Sequence, residues 1–283
     1  MTELVVLGAG GMLGRALVEH LAQHAPLAAA RADVDVTNRD ALQSFIPEGA
    51  TVINASAYTD VDGAESDEAA AFAVNADAVR LIAETVKAKG GRLIHISTDY
   101  VFDGSKGEPY LPSDPVSPLG AYAKSKVAAE EAVLSVVRTD EAPHMIVRTG
   151  WLYGHGRRDF VDLVLDRTAA GDPLRIVDDQ WGRPTWTRNV VGAVLDLIDG
   201  GSRGVVNVSD GGVATWHGFA TAIVEEAGLR GLPEAVSSRD YGAPAERPLY
   251  TVLDLVATEE ELGREMMPWR DALRTYLDER SSA

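Results

Sequence analysis

A phenol and an ammonium stand four residues apart in Tyr122-Ala123-Lys124-Ser125-Lys126. On a helix, positions i and i+4 face the same way, so both side chains address one point in space. Thr98, at the end of an apolar run upstream, adds a hydroxyl to this pair. A hydroxyl, a phenol and an ammonium together suit the protonation of a carbonyl that is receiving a hydride. A free tyrosine titrates at about 10, too high for ready proton exchange at neutral pH, so the site must make phenolate more accessible. Lys126 is expected to do this. A unit charge about 4 Å away at an effective dielectric of about 20 is worth roughly 4 kcal/mol, enough to bring Tyr122 near working pH. Tyr122 would then give its proton to the developing alkoxide while Thr98 hydrogen-bonds the same oxygen.

A hydride needs a carrier, and the N-terminus supplies the pattern for one. Leu4-Val5-Val6-Leu7 breaks into Gly8-Ala9-Gly10-Gly11-Met12-Leu13-Gly14 and then a helical stretch, Arg15 to His24. A strand, a glycine-rich turn and a helix form the context of a dinucleotide fingerprint. Small residues let the backbone approach a pyrophosphate, and the helix start offers free N–H groups and a positive dipole end. Lys126 would then also reach the nicotinamide ribose. After a weak second strand, Leu27 to Ala30, comes Arg31, where such folds read the adenine ribose. A carboxylate there binds the 2′-hydroxyl of NAD and an arginine accommodates the 2′-phosphate of NADP, so Arg31 leans toward NADPH, with NADH as the alternative. Asp35-Val36-Thr37 either covers the adenine or supplies a helix N-cap at Thr37 or Asn38.

The elements that must hold these groups alternate. Thr51 to Ala57 and Arg92 to Ser97 read as strands, separated by a helix from about Ser66 to Lys89; His144 to Thr149 reads as another strand. Alternating strands and helices predict an α/β, Rossmann-type, doubly wound parallel sheet with helices on both faces and ligands at the strands' carboxyl ends. His95 lies inside a strand and is assigned no chemistry. Beyond Thr149 the character changes: four of the five tryptophans lie after position 180, and strands are expected near Arg175-Ile176-Val177 and Val205-Val206-Asn207-Val208. The expected division is a dinucleotide-binding domain over 1–150, with some later segments returning to it, and a smaller substrate-binding lobe over 151–283. The tail from Arg280 is expected to fray.

With 26 basic and 43 acidic residues the net charge is −17, which argues against a nucleic-acid or anionic-membrane surface. Any anionic ligand therefore needs locally placed cations, and Arg183 and Arg247 are the candidates for a substrate pyrophosphate, with a structural ion pair as the alternative for each. No apolar run of about 18 residues exists to span a membrane. Met1-Thr2-Glu3 leads into the first strand without a basic leader, so a cytoplasmic protein is expected. Cysteine is absent, which removes disulfides and thiolate metal sites.

Taken together, these motifs resemble the extended short-chain dehydrogenase/reductases and, among them, the bacterial dTDP-4-dehydrorhamnose reductase family. The matching stretches run from Gly8-Gly14 through Asn54-Glu65, Val74-Asn75-Ala76, Ser97-Gly104, Tyr122-Lys126, Arg148-Thr149-Gly150-Trp151-Leu152-Tyr153 and Asp179-Thr185 to Arg247-Pro248. The resemblance implies reduction of the 4-keto group of dTDP-4-dehydro-L-rhamnose to dTDP-L-rhamnose, usually with NADPH. It implies Gly11, Met12 and Leu13 at the pyrophosphate, Asp35 and Val36 flanking the adenine, and Ala57, Tyr58 and Thr59 lining the nicotinamide side. It further implies Thr98, Tyr122 and Lys126 as the catalytic set, with Asp99, Tyr100 and Trp151 near the sugar. Family members include dimers with Mg2+ at the interface, but no spacing of acidic residues here places a metal, and monomer or homodimer both stay open. Dehydratases on this fold place Asp-Glu after the threonine; Asp99-Tyr100 here favours simple reduction. The remaining alternatives are a reductase of another dTDP-4-keto-6-deoxysugar and a non-catalytic NADP-binding regulatory subunit.

Overall fold

Leu4–Leu7 (β1) is an unbroken apolar run because both of its faces are covered. Side chains alternate along a strand. Val6 packs with Leu13, Leu17, Val190 and Val194 on one side of the sheet, and Val5 and Leu7 pack with Leu42, Val79, Ile82 and Val133 on the other. Two hydrophobic layers, each roofed by helices, follow from that one alternation. The computed structural model describes residues 3–136 and 144–282. Met1 and Thr2, read above as leading into β1, lie outside them.

The strands β1, β2 (Leu27–Ala29), β3 (Thr51–Asn54), β4 (Arg92–Thr98), β5 (Met145–Thr149) and β6 (Gly204–Asn207) form one parallel sheet in the order β6-β5-β4-β3-β1-β2. The fold is thus of the Rossmann type. The chain reverses direction of travel between β1 and β3, and the crevice outside their carboxyl ends is the ligand position of such sheets. Gly8 and Gly14 shape that crevice. Gly8 has φ +80°, and a Cβ on it would lie 2.5 Å from the Ser56 backbone nitrogen. A Cβ on Gly14 would lie 2.1 Å from the Gly8 carbonyl oxygen, so only glycine lets helix α1 (Met12–His20) start this close to the turn.

The single helix expected over Ser66–Lys89 is broken. α2 (Val61–Ser66) ends at Asp67, whose side chain caps the next turn by accepting from the Ala70 N–H, and residues Ala73–Asp77 form a π-turn before Ala78–Ala88 continues. Asn75 sits at the centre of that π-turn. α3 (Ala121–Val136) crosses the sheet above β4 and carries Tyr122 and Lys126.

A third core, built on Tyr153, Trp186, Phe219, Leu273 and Tyr276, holds many of the segments beyond β5, while Val190, Val194 and Val206 return to the first. In this region Arg175–Val177 pairs in parallel with Glu234–Val236. The expected fraying from Arg280 is not seen. The last helix runs from Trp269 to Ser282, and Arg280 binds Asp162 at 2.7 Å and the Tyr276 hydroxyl at 3.1 Å, which ties the end of the chain down. Among the described residues no helix is long and apolar enough to cross a membrane.

Candidate active site

β4 delivers Thr98 at its carboxyl end, and α3 delivers Tyr122 within its first turn and Lys126 one turn later. The Thr98 hydroxyl donates to Asp99 Oδ1 at 3.1 Å, accepts from the Tyr100 N–H at 3.2 Å, and shares a hydrogen bond with the Tyr122 phenol. The Tyr100 and Tyr122 rings meet edge to face with centroids 6.3 Å apart. The structure therefore brings Thr98, Asp99, Tyr100 and Tyr122 to one point.

The expected electrostatics of Tyr122 are overturned. Burial pushes its phenol up to about 12, and the Asp99 carboxylate adds to the rise. Lys126 does not oppose this: its Nζ donates to the Ile96 carbonyl at 2.7 Å, and burial lowers the ammonium to about 8. Desolvation of the anion outweighs the attraction of a lysine that is itself desolvated and engaged elsewhere. Tyr122 is consequently a neutral, proton-bearing acid at pH 7, the form that reduction requires. Asp99 is 3% exposed and pushed up to about 6 by burial, so it is mostly ionised at pH 7 and takes up its proton about one unit lower.

Two side chains, Glu65 of α2 as an acceptor and Asn75 of the π-turn as a donor, pin α3. Glu65 Oε1 accepts from the Ala121 N–H at 2.7 Å, capping the helix start beside Tyr122. Asn75, fully buried, accepts from the Tyr58 N–H at 2.8 Å and donates to the Tyr58 carbonyl at 3.0 Å and to the Ser125 hydroxyl at 2.9 Å. Ser125 in turn donates to the Tyr122 carbonyl at 2.7 Å. Asn75 thereby locks the Ala57-Tyr58-Thr59 segment to the tyrosine helix. The sequence carried this residue in Val74-Asn75-Ala76, but nothing in its local pattern signals the π-turn that aims it.

The glycine turn fits a pyrophosphate. Gly11 is the N-cap of α1 with no side-chain cap, which leaves the first N–H groups of the helix, at Met12, Leu13 and Gly14, facing the crevice. Arg31 is exposed two residues beyond β2. Asp35 accepts from the Thr37 N–H at 2.9 Å and the Thr37 hydroxyl at 2.7 Å, and these bonds lower its pKa; the helix cap is Asn38, and Val36 is half-buried between them.

The two arginines separate. Arg183 donates to the Leu253 carbonyl at 2.9 Å and the Gly212 carbonyl at 2.7 Å, so its guanidinium is committed to holding chain segments together. Arg247 binds Asp62 of α2 through two parallel contacts of 2.9 and 3.0 Å and reaches the Tyr100 phenol. It also lines a cavity of about 460 Å³ together with Arg239, Gln180, Phe160 and Trp216. Trp151 has φ +52° and is 8% exposed, its ring stacked on Trp216 at 3.7 Å. Trp216, with Phe160 and Tyr241, lines that cavity, and Trp151 does not. Neither Arg239 nor Trp216 belongs to a motif, and only the folded chain places them. Among the described residues no cluster of three or more His, Asp or Glu side chains forms a metal site.

Comparison with known proteins places this geometry in context. A family model described as the RmlD substrate binding domain matches residues 1–282. A dTDP-4-dehydrorhamnose reductase from Mycobacterium tuberculosis is 43% identical over 97% of this chain and 92% of its own length. A dTDP-4-keto-6-deoxy-D-glucose reductase from Streptomyces niveus is 36% identical over 95% of this chain and 94% of its own. The crystal structure of a Bacillus anthracis dTDP-4-dehydrorhamnose reductase in complex with NADP superposes with a TM-score of 0.92 at 30% identity, covering 99% of this chain and all of that one.

Proposed function

Because the chain belongs to the RmlD substrate-binding domain family, we propose that it is a sugar-nucleotide ketoreductase that reduces the 4-keto group of dTDP-4-dehydro-L-rhamnose to give dTDP-L-rhamnose with NADPH. The observation that carries this reading is the meeting of Thr98 and a protonated Tyr122 at the carboxyl end of β4, in a sheet whose β1 turn is shaped for a dinucleotide.

The reduced nicotinamide, when bound, supplies the hydride. Tyr122 donates its proton to the sugar oxygen as charge develops there. A phenol held at about 12 remains protonated at working pH yet is still a stronger acid than a secondary alcohol, so the transfer runs downhill. The Thr98 hydroxyl holds the same oxygen and fixes the angle of attack. Lys126, largely charged below about 8, stands one turn along α3 from Tyr122 and would offer its ammonium to the nicotinamide ribose. Gly8, Gly11, Met12, Leu13 and Gly14 take the pyrophosphate, Arg31 the 2′-phosphate, and Ala57, Tyr58 and Thr59 the nicotinamide side. Asp99, Tyr100 and Trp151 border the sugar, and Arg247 with Arg239 offers cations to the diphosphate at the adjoining cavity.

A second reading, reduction of a related dTDP-4-keto-6-deoxyhexose, is favoured by the similarity to the Streptomyces niveus protein. NADPH consumption by purified protein with each ketosugar in turn, with products identified by NMR, decides between them. Turnover to dTDP-L-rhamnose supports the first reading. A kcat/KM at least tenfold higher on the other sugar replaces it with the second, and turnover of neither rejects both.

A further inference from the structure

Lys126 is 2% exposed, and its ammonium bonds a neutral carbonyl. A buried ammonium without a counter-ion sheds its proton. One helical turn further along α3, Glu130 is 4% exposed and faces the same strand. The helix grips consecutive residues of β4: Lys126 donates to the Ile96 carbonyl at 2.7 Å, and Glu130 Oε1 accepts from the Ser97 hydroxyl at 2.5 Å. Glu130 is held from the far side by Arg148 of β5, whose Nε reaches Oε1 at 3.0 Å and whose Nη2 reaches Oε2 at 2.7 Å. Arg148 also donates to the Pro112 carbonyl at 3.1 Å and lies over the Phe102 ring. Strand register puts Ser97 directly beside Arg148, so the clamp is set by the sheet itself.

We propose that Glu130 is the positioning residue that keeps the Lys126 ammonium charged in the buried site, with the two-point contact of Arg148 fixing Glu130 in that orientation. The inference rests on the cofactor reading above, in which Lys126 works toward the nicotinamide ribose. Cβ atoms one turn apart are about 5–6 Å from each other, and the polar ends of Lys126 and Glu130 are anchored on adjacent residues of β4, which keeps them on that scale. At an effective dielectric of about 20 a carboxylate at that distance favours the protonated amine about a hundredfold, reduced to about tenfold by the more distant guanidinium. The groups whose charge bears on Lys126 are Glu130 on its own helix, which raises its pKa, and His95 of β4, which burial keeps neutral. Arg148 of β5 stands behind Glu130, and Tyr122, on the same helix, is uncharged at neutral pH. An ion pair serving packing alone would leave the protonation of Lys126 where it is. An ion pair serving Lys126 moves it.

The test is NADPH affinity, read by fluorescence titration from pH 6 to 10, in wild type, Glu130→Gln and Ser97→Ala, with thermal melts of each. Wild type should lose affinity along a limb near pH 8, the point at which Lys126 deprotonates. Glu130→Gln, which removes the carboxylate and leaves the Arg148 guanidinium, should move that limb down by about two pH units, toward the lower end of the titrated range, an approximately hundredfold loss of affinity on the limb. Ser97→Ala, which removes one hydrogen bond and keeps the charge, should leave the limb in place while lowering the melting temperature. If Glu130→Gln does not fold, Glu130→Gln combined with Arg148→Met removes both buried charges together, a change that cores tolerate. That pair should still shift the limb downward, by about one pH unit, the net effect of the two charges. A limb that stays put when the Glu130 carboxylate is removed, or that moves equally in Ser97→Ala, overturns the inference and leaves the reductase reading intact. A wild-type protein that binds no NADPH overturns both.

Discussion

Replacing Asn75 with Ala tests whether the π-turn positions α3, the helix that carries Tyr122. The side chain makes three hydrogen bonds, two to the Tyr58 backbone and one to the Ser125 hydroxyl, from a fully buried position. At about 1 kcal/mol net each, their loss costs roughly 3 kcal/mol. The Tyr58 N–H and C=O are only partly buried, so water recovers some of their desolvation, and the cavity left by the amide adds to the loss; the total stays near 3–4 kcal/mol. That is a large share of the 5–15 kcal/mol that holds an ordinary domain together. It should appear in urea denaturation as a lower midpoint with an unchanged m-value. Because Ser125 connects Asn75 to the Tyr122 carbonyl, kcat should also fall, by about 10²-fold, the cost of displacing a reacting group by about 1 Å. A variant within 1 kcal/mol of wild-type stability that keeps full kcat would refute the claim that Asn75 joins the cofactor segment to α3.

Arg247→Met should raise KM for the sugar nucleotide about 10–100-fold with a smaller change in kcat, since a charge-assisted bond to phosphate is worth about 1.5–3 kcal/mol. Arg183→Met should instead lower stability and leave KM alone, because its guanidinium serves the Leu253 and Gly212 carbonyls; initial-rate kinetics on the two variants separates the roles. Arg31→Asp should shift kcat/KM from NADPH toward NADH, and an unchanged ratio would remove Arg31 from the 2′-phosphate site. Burial raises Asp210 to about 7, where it accepts from the Trp186 N–H and the Asn189 amide. A carboxyl raised above its unfolded value of about 3.9 takes up a proton in the folded state first, so its contribution to stability grows as pH falls from about 7 to 4, by up to about 1.4 kcal/mol per pH unit. Asp210→Asn should flatten that part of the stability profile, measured by denaturation at each pH.

Much of the site was legible in sequence because its spacing is local. Gly8 to Gly14 and Tyr122 with Lys126 are defined by separations that a turn or a helix converts directly into geometry. β6 was visible as a strand near Val205-Val208, but its place beside β5 depends on a pairing between distant segments that no periodicity records. The protonation of Tyr122 could not be read from spacing either: distance alone says that Lys126 lowers the phenol, while burial, known only after folding, reverses the sign. Arg183 and Arg247 look alike in the chain, and it is the partners, backbone carbonyls for one and Asp62 beside Tyr100 for the other, that divide them. Trp216 and Arg239 line the cavity without any motif to announce them.

The most direct measurement is NADPH oxidation by wild type and Tyr122→Phe with dTDP-4-dehydro-L-rhamnose, with NADPH affinity determined for both. The substitution removes the proton and almost no volume. Wild type should form dTDP-L-rhamnose, and Tyr122→Phe should bind NADPH equally well yet lose at least 10²-fold in kcat, the contribution of a positioned general acid of about 10²–10⁴. Near wild-type turnover by Tyr122→Phe would contradict the assignment of the proton donor and with it the account of the site.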